Sequence, residues 1–98
     1  MSKQSLLQGE EKRCYICGSE RRLERHHIYG GPYRKWSEAY GCWVYLCKHH
    51  HTGDEYGNKD SVHFNGMVSL ALKQKCQRAF EENHTRKEFM HIFGRNWL

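Results

Sequence analysis

The sequence predicts a small α+β domain whose core is stapled, and three observations predict it. Residues 42–47 are rich in β-branched and aromatic side chains, as strands are, and residues 21–29 read as a second strand of basic character. Residues 64–80 place apolar side chains at intervals of three and four, the mark of a helix with one buried face. Two ligand pairs, Cys14-x-x-Cys17 and Cys47-x-x-His50, stand about thirty residues apart and bracket the strand-like runs. With 98 residues and 38% hydrophobic content, a single core is marginal, so a staple is expected.

Residues 1–13 are polar and mixed in charge and read as a flexible, solvated tail, leaving residues 14–98 as a single domain. Cys14-Tyr15-Ile16-Cys17-Gly18 has the tight turn of a zinc knuckle, in which backbone N–H groups bond the thiolates. A redox pair is the rival reading of Cys-x-x-Cys, but the strand-then-helix context of a thioredoxin motif is missing. The run from Arg21 to Tyr29 reads as a strand stopped by Gly30-Gly31-Pro32. Within it, neighbouring side chains of an extended chain point to opposite faces, so His26 and His27 have separate tasks.

Tyr33 to Gly41 interleaves aromatic and basic residues. It suits contact with phosphates and bases, and equally a short helix with Trp36 and Tyr40 facing the core. Cys42 to Cys47 is the clearest strand, expected to pair antiparallel with the strand carrying His26 and His27. That pairing brings Cys47 and His50 to Cys14 and Cys17, a donor set for a closed tetrahedral structural zinc. Among His49, His50 and His51, spacing selects His50. The loop that follows offers Asp54, Glu55 and Asp60 as oxygen ligands or as a solvated turn. Thr85-x-x-Glu88 is a capping box that opens a last helix with Phe89, Ile92 and Phe93 inward, ended by Gly94. Cys42 and Cys76 read as packing thiols.

The five cysteines are odd in number and no apolar, signal-like run lies near the start. The expectation is metal ligation in a reducing compartment, the cytoplasm, rather than a secreted disulfide scaffold. No stretch approaches a membrane span. Lys and Arg outnumber Asp and Glu by 16 to 11, a net charge of +5 that favours a polyanionic partner.

Two hairpin strands, a histidine at the end of the first, and a following helix, pinned by a knuckle, resemble the ββα-metal (His-Me finger) core of HNH endonucleases. The likeness runs from Cys14 to about Phe80, with additional C-terminal helices beyond it. His26-His27-Ile28 fits the family frame of a metal-side residue, the general base and an aliphatic residue. Within the family, ERHHIYGG, RKWSEAYG, WVYLCKHH, the spacing from Asp54 to Val62-His63-Phe64-Asn65, and the closing FGRNWL are similar to phage RecA-dependent nucleases of the Ref type.

The resemblance implies a metal-dependent DNA endonuclease of low intrinsic sequence specificity, directed by a RecA–DNA filament and working in a host cytoplasm if phage-encoded. It implies His27 as base, with His26, Asp54 and His63 beside it in the active site. A catalytic Mg²⁺ or Mn²⁺ would be held by some of His26, His51, Asp54 and His63, and a histidine-rich set suits Mn²⁺, Co²⁺ or Ni²⁺ better than Mg²⁺. Arg25, Arg34, Lys35 and Lys48, with Arg21 and Arg22, would hold the DNA backbone of a protein expected to act as a monomer. Where the family carries its middle Asn this chain has Cys42, so orienting His27 would fall to a backbone carbonyl. The competing reading is a non-catalytic, zinc-stabilised DNA-binding module.

Overall fold

The computed structural model describes residues 4–53, 61–63 and 65–98. Its elements are β1 (Leu23–His27), a 3-10 turn (Gly31–Tyr33), α1 (Arg34–Tyr40), β2 (Trp43–Cys47), α2 (Lys48–His51), α3 (Gly66–Phe80) and α4 (Arg86–Phe93). The fold is α+β, with a two-stranded sheet against helices. None of these helices is long and apolar enough to cross a membrane.

β1 and β2 pair antiparallel in the register Leu23↔Cys47, Glu24↔Leu46, Arg25↔Tyr45, His26↔Val44, His27↔Trp43. Directly opposed residues share a face, so Glu24, His26, Val44 and Leu46 lie on one side and Arg25, His27, Trp43 and Tyr45 on the other. Val44 and Leu46 are fully buried and join Leu72, Cys76, Phe80, Phe89 and Phe93 in the core. Cys42 belongs to the same core. Around Phe93 the aromatic rings stack closely, with Tyr29 at 4.5 Å and Phe89 at 4.9 Å between centroids.

Asn65 caps α3 by accepting from the Met67 and Val68 N–H groups, which starts the helix at Gly66; Phe64, expected on its apolar stripe, lies outside the described residues. The apolar spacing put Met67 on the buried face, but it is 84% exposed: nine positions before Cys76, it lies about 180° around the helix from the packed stripe that Leu72, Cys76 and Phe80 form. Both halves of the Thr85–Glu88 capping box are made, and Gly94 ends α4 at φ +82°. A side chain at Gly94 would run into the Tyr33 hydroxyl, so the position is closed on steric as well as conformational grounds.

On α1, Tyr40 packs against Phe80 while Trp36 stays 41% exposed with the Lys35 ammonium 4.9 Å from its ring. The expected pair of inward aromatics is thus split. The buried residue of α1 is Ser37, whose hydroxyl donates to the Tyr29 carbonyl at 2.8 Å, and Trp36 lies about 100° around the helix from it.

The expectation of a free N-terminal tail fails for residues 5–8. Ser5 is buried and its hydroxyl donates to the Trp43 carbonyl at 2.6 Å. The Tyr45 N–H donates to Gln8 Oε1 at 2.7 Å, and Leu6 and Leu7 pack on the core. Polar composition misled here because β2 has one partner strand among the described residues, and its other edge needs hydrogen-bond partners that Ser5 and Gln8 supply.

Candidate metal centres

Residues 14–18 form a tight turn in which the Gly18 N–H donates to the Cys14 carbonyl at 2.8 Å, with Gly18 at φ +78°. The Tyr15 N–H donates to the Tyr45 carbonyl at 2.8 Å and hooks this turn onto β2. β2 then delivers Cys47 at its end, and α2 delivers His50 one turn later. The ligand atoms of Cys14, Cys17, Cys47 and His50 all lie within 4.8 Å of one another. In a tetrahedral site with Zn–S of about 2.3 Å, sulfurs sit about 3.8 Å apart. Cys17 Sγ and Cys47 Sγ are 3.8 Å apart, Cys14 Sγ and His50 Nδ1 3.8 Å, and Cys47 Sγ and His50 Nδ1 3.3 Å. The four residues chosen from spacing therefore make a cluster that could hold a metal such as zinc.

Charge supports the fit. Burial and the neighbouring Cys14 and Cys17 thiols raise Cys47 to about 11, against a backbone N–H bond at His50 that lowers it. Burial also opposes ionisation of Cys14, but backbone bonds around Cys47, Cys17 and Ile16 outweigh it and bring that thiol down. Crowded thiols resist joint ionisation until a cation sits among them, which is how a divalent ion deprotonates such a set.

A second group, His26, His51 and His63, also brings its ligand atoms within 4.8 Å of one another. The ring centroids are 5.2 Å apart for His26 and His51, 5.7 Å for His26 and His63, and 4.7 Å for His51 and His63. β1 aims His26 to the core-side face, and α2 turns His51 toward it while the preceding His50 faces the cysteines. The Val62 and His63 N–H groups donate to the His50 and His51 carbonyls, which sets His63 beside His51. His51 Nδ1 lies 2.9 Å from Glu24 Oε1, an arrangement that fixes the ring and would leave Nε2 to ligate a cation. Burial, then the His51 and His63 charges, lower His26 to about 3, and burial also lowers His63. Both rings are thus neutral at neutral pH, the form that ligates cations.

His27 faces the other side of the strand. Its Nε2 lies 2.6 Å from Glu38 Oε2 on α1, and Arg25 pairs with the other carboxylate oxygen. Burial of Glu38 opposes its ionisation, but the His27 hydrogen bond and the Arg25 charge hold it below the usual carboxylate range. His27 is therefore oriented by a carboxylate, not by the backbone carbonyl expected from the loss of the family Asn. Glu38 was missed from sequence; its signal is that it is the lone acid in the basic, aromatic run RKWSEAY.

His26, His27, Arg34, His51, His63 and Lys73 line one cleft of about 560 Å³. Of the cations expected on DNA, Arg34 lines this cleft, and Lys35 lines the adjoining groove with His27 and Glu38. Arg25 also borders the cleft, but its guanidinium is paired with Glu38 and stacked 3.7 Å over the Trp43 ring, so it serves to hold that carboxylate. Lys48 is exposed at the start of α2, outside the cleft lining. Asp54, expected beside His27 and His63, lies outside the described residues, as do Glu55 and Asp60.

Comparison of the chain with protein-family models, curated proteins and solved structures finds no match, so the reading of the cleft rests on its own geometry.

Proposed function

We propose that the chain is a metal-dependent DNA endonuclease of the HNH type. One observation carries the reading: two adjacent histidines at the end of β1 serve one cleft from opposite faces. His26 joins a three-imidazole cation site, and His27 is oriented by a carboxylate. The antiparallel hairpin with α3 packed on it then corresponds to a ββα-metal core.

Phosphodiester hydrolysis needs a base for water and compensation for charge on the phosphate and the leaving oxygen. With Nε2 bonded to Glu38, His27 takes the water proton at Nδ1, and the Glu38 carboxylate stabilises the imidazolium that results. His26, His51 and His63 would hold a divalent ion, whose chemistry is Lewis-acid stabilisation of the scissile phosphate. Three imidazoles match Mn²⁺ better than Mg²⁺. Arg34 and Lys35 line the approach to His27 and suit the phosphate backbone, which gives salt-dependent binding with little sequence preference. Zinc among Cys14, Cys17, Cys47 and His50 is structural, and its thiolates suit a reducing cytoplasm. Direction by a RecA filament rests on the resemblance in sequence alone.

The test is nicking of supercoiled plasmid by wild type and His27→Ala with Mg²⁺, Mn²⁺ or EDTA, with and without RecA-coated single-stranded DNA. Metal-dependent nicking is expected, strongest with Mn²⁺ and lowered about 100-fold or more in His27→Ala. DNA binding without cleavage under every condition would establish the non-catalytic binding module instead.

A further inference from the structure

The turn after α4 is held by side chains of α3. Gln77 on α3 is fully buried: its Oε1 accepts the Trp97 N–H at 2.8 Å, and its Nε2 donates to Asn96 Oδ1 at 2.7 Å and to Glu81 Oε2 at 2.7 Å. Gln74 Nε2 donates to the Trp97 carbonyl at 3.0 Å. Fixed in this way, the Trp97 indole carries two cations. The Lys73 ammonium lies 4.3 Å from the ring centroid and the Arg95 guanidinium carbon 3.9 Å from it.

Neither cation has a carboxylate partner among the described residues. Two positive groups gathered on one ring repel each other. Burial and then the Arg95 charge hold the Lys73 ammonium below its ordinary value. An anion beside the pair removes that repulsion. Lys73 is also placed with respect to the metal cleft, because the Tyr29 hydroxyl donates to its carbonyl at 2.6 Å. Lys73 lines both the cleft of His26, His51 and His63 and a neighbouring cavity of about 370 Å³ bounded by Tyr33, Arg95 and Trp97.

We propose that Lys73 and Arg95, seated on Trp97, form a clamp for a phosphodiester of the bound DNA strand, the one next to the phosphate held in the metal cleft. The proposal deepens the nuclease reading and rests on it. The clamp reads phosphate and no base, and it sets which way the strand leaves the cleft. Trp97 and Gln77 are positioning residues that act through the two cations.

The test is binding of a fluorescent DNA duplex by full-length protein in a His27→Ala background, by anisotropy across a salt series. Lys73→Gln and Arg95→Gln are each expected to weaken binding about tenfold at fixed salt. Each should also reduce the slope of log affinity against log salt by about one, while Lys73→Arg retains both values. Lys87→Gln, which removes an exposed charge on α4, serves as the comparison. An effect of Lys87→Gln equal to that of Lys73→Gln, or unaltered binding by the Lys73→Gln/Arg95→Gln double variant, overturns the clamp. With His27 restored, the double variant should lose more of its kcat/KM for DNA than for bis(p-nitrophenyl) phosphate, which has no neighbouring phosphodiester, and equal losses on the two substrates would overturn the clamp. If wild type cleaves neither substrate yet the salt slope still falls in the variants, the nuclease reading fails and the phosphate clamp stands.

Discussion

The Cys14, Cys17, Cys47, His50 cluster and the His26, His51, His63 cluster share the four-residue helix α2 and otherwise differ in each respect that governs what a metal does. The first offers three thiolates and one imidazole, a complete tetrahedral shell of soft donors with Cys14 and Cys47 buried. The second offers three nitrogens, half-buried or exposed, on an open cleft beside a carboxylate-oriented histidine. A full shell holds an ion and does nothing further with it; a partial shell leaves coordination positions for water and substrate. The lesson is that one turn of helix serves both, since His50 and His51 are successive residues about 100° apart. A helix of that length has no stability of its own, so a metal held by Cys14, Cys17, Cys47 and His50 would also fix His51 in the imidazole cluster.

That dependence can be broken in one direction only. Cys17→Ser is expected to produce the largest effect: loss of bound zinc and a fall in Tm of about 15 °C or more, because ion binding in such turns is coupled to folding. A thermal melt superimposable on wild type would end the structural-zinc assignment. His51→Ala should leave the melt within about 4 °C of wild type and reduce bound Mn²⁺ from one equivalent to none by equilibrium dialysis, with zinc retained. Retention of Mn²⁺ would remove His51 from the site, and loss of zinc as well would show that the two centres are one cooperative unit.

The smallest effect belongs to Glu38→Gln, which keeps an acceptor for His27 but removes its charge. Cleavage is expected to fall about 10- to 100-fold with DNA affinity unaltered, and an unaltered rate would leave Glu38 without a part in catalysis. Glu38 also has a signature in acid. Its folded value lies below the unfolded 4.5, so its contribution to stability is complete above about pH 4.5 and is lost as the pH falls through the lower folded value. Glu38→Gln should therefore flatten the acid side of a Tm-against-pH curve, and an unchanged acid slope would contradict the ion pair.

What could be read from the chain were the features that neighbours in sequence decide. Ligand type and spacing placed the knuckle, β-branched and aromatic runs placed the hairpin, and Thr85 with Glu88 placed the start of α4. The alternation of an extended chain also separated His26 from His27, which the register bears out in geometry. Features decided by distant partners were not legible. Glu38 meets His27 across eleven positions, marked only as the lone acid of RKWSEAY, and Lys73 meets Trp97 across twenty-four with nothing local to announce it. Met67 fitted the intervals of three and four step by step and is still exposed, because alternating such steps drifts around the helix and leaves it opposite Cys76. The polar start of the chain was misread for the converse reason: Ser5 and Gln8 are polar because what they cover is backbone.

That cover has a consequence for how copies of the protein behave toward one another. The outer edge of β2 presents the Trp43 carbonyl and the Tyr45 amide, and Ser5 and Gln8 occupy them. A chain shortened past Gln8 would uncover the Trp43 carbonyl and the Tyr45 amide and leave Tyr15, on the Tyr45 carbonyl, to cover that edge, where a second copy can add its own strand. The segment is thus a guard against self-association, and its loss would first be seen as oligomers and precipitation at high concentration, with the knuckle still able to take up zinc.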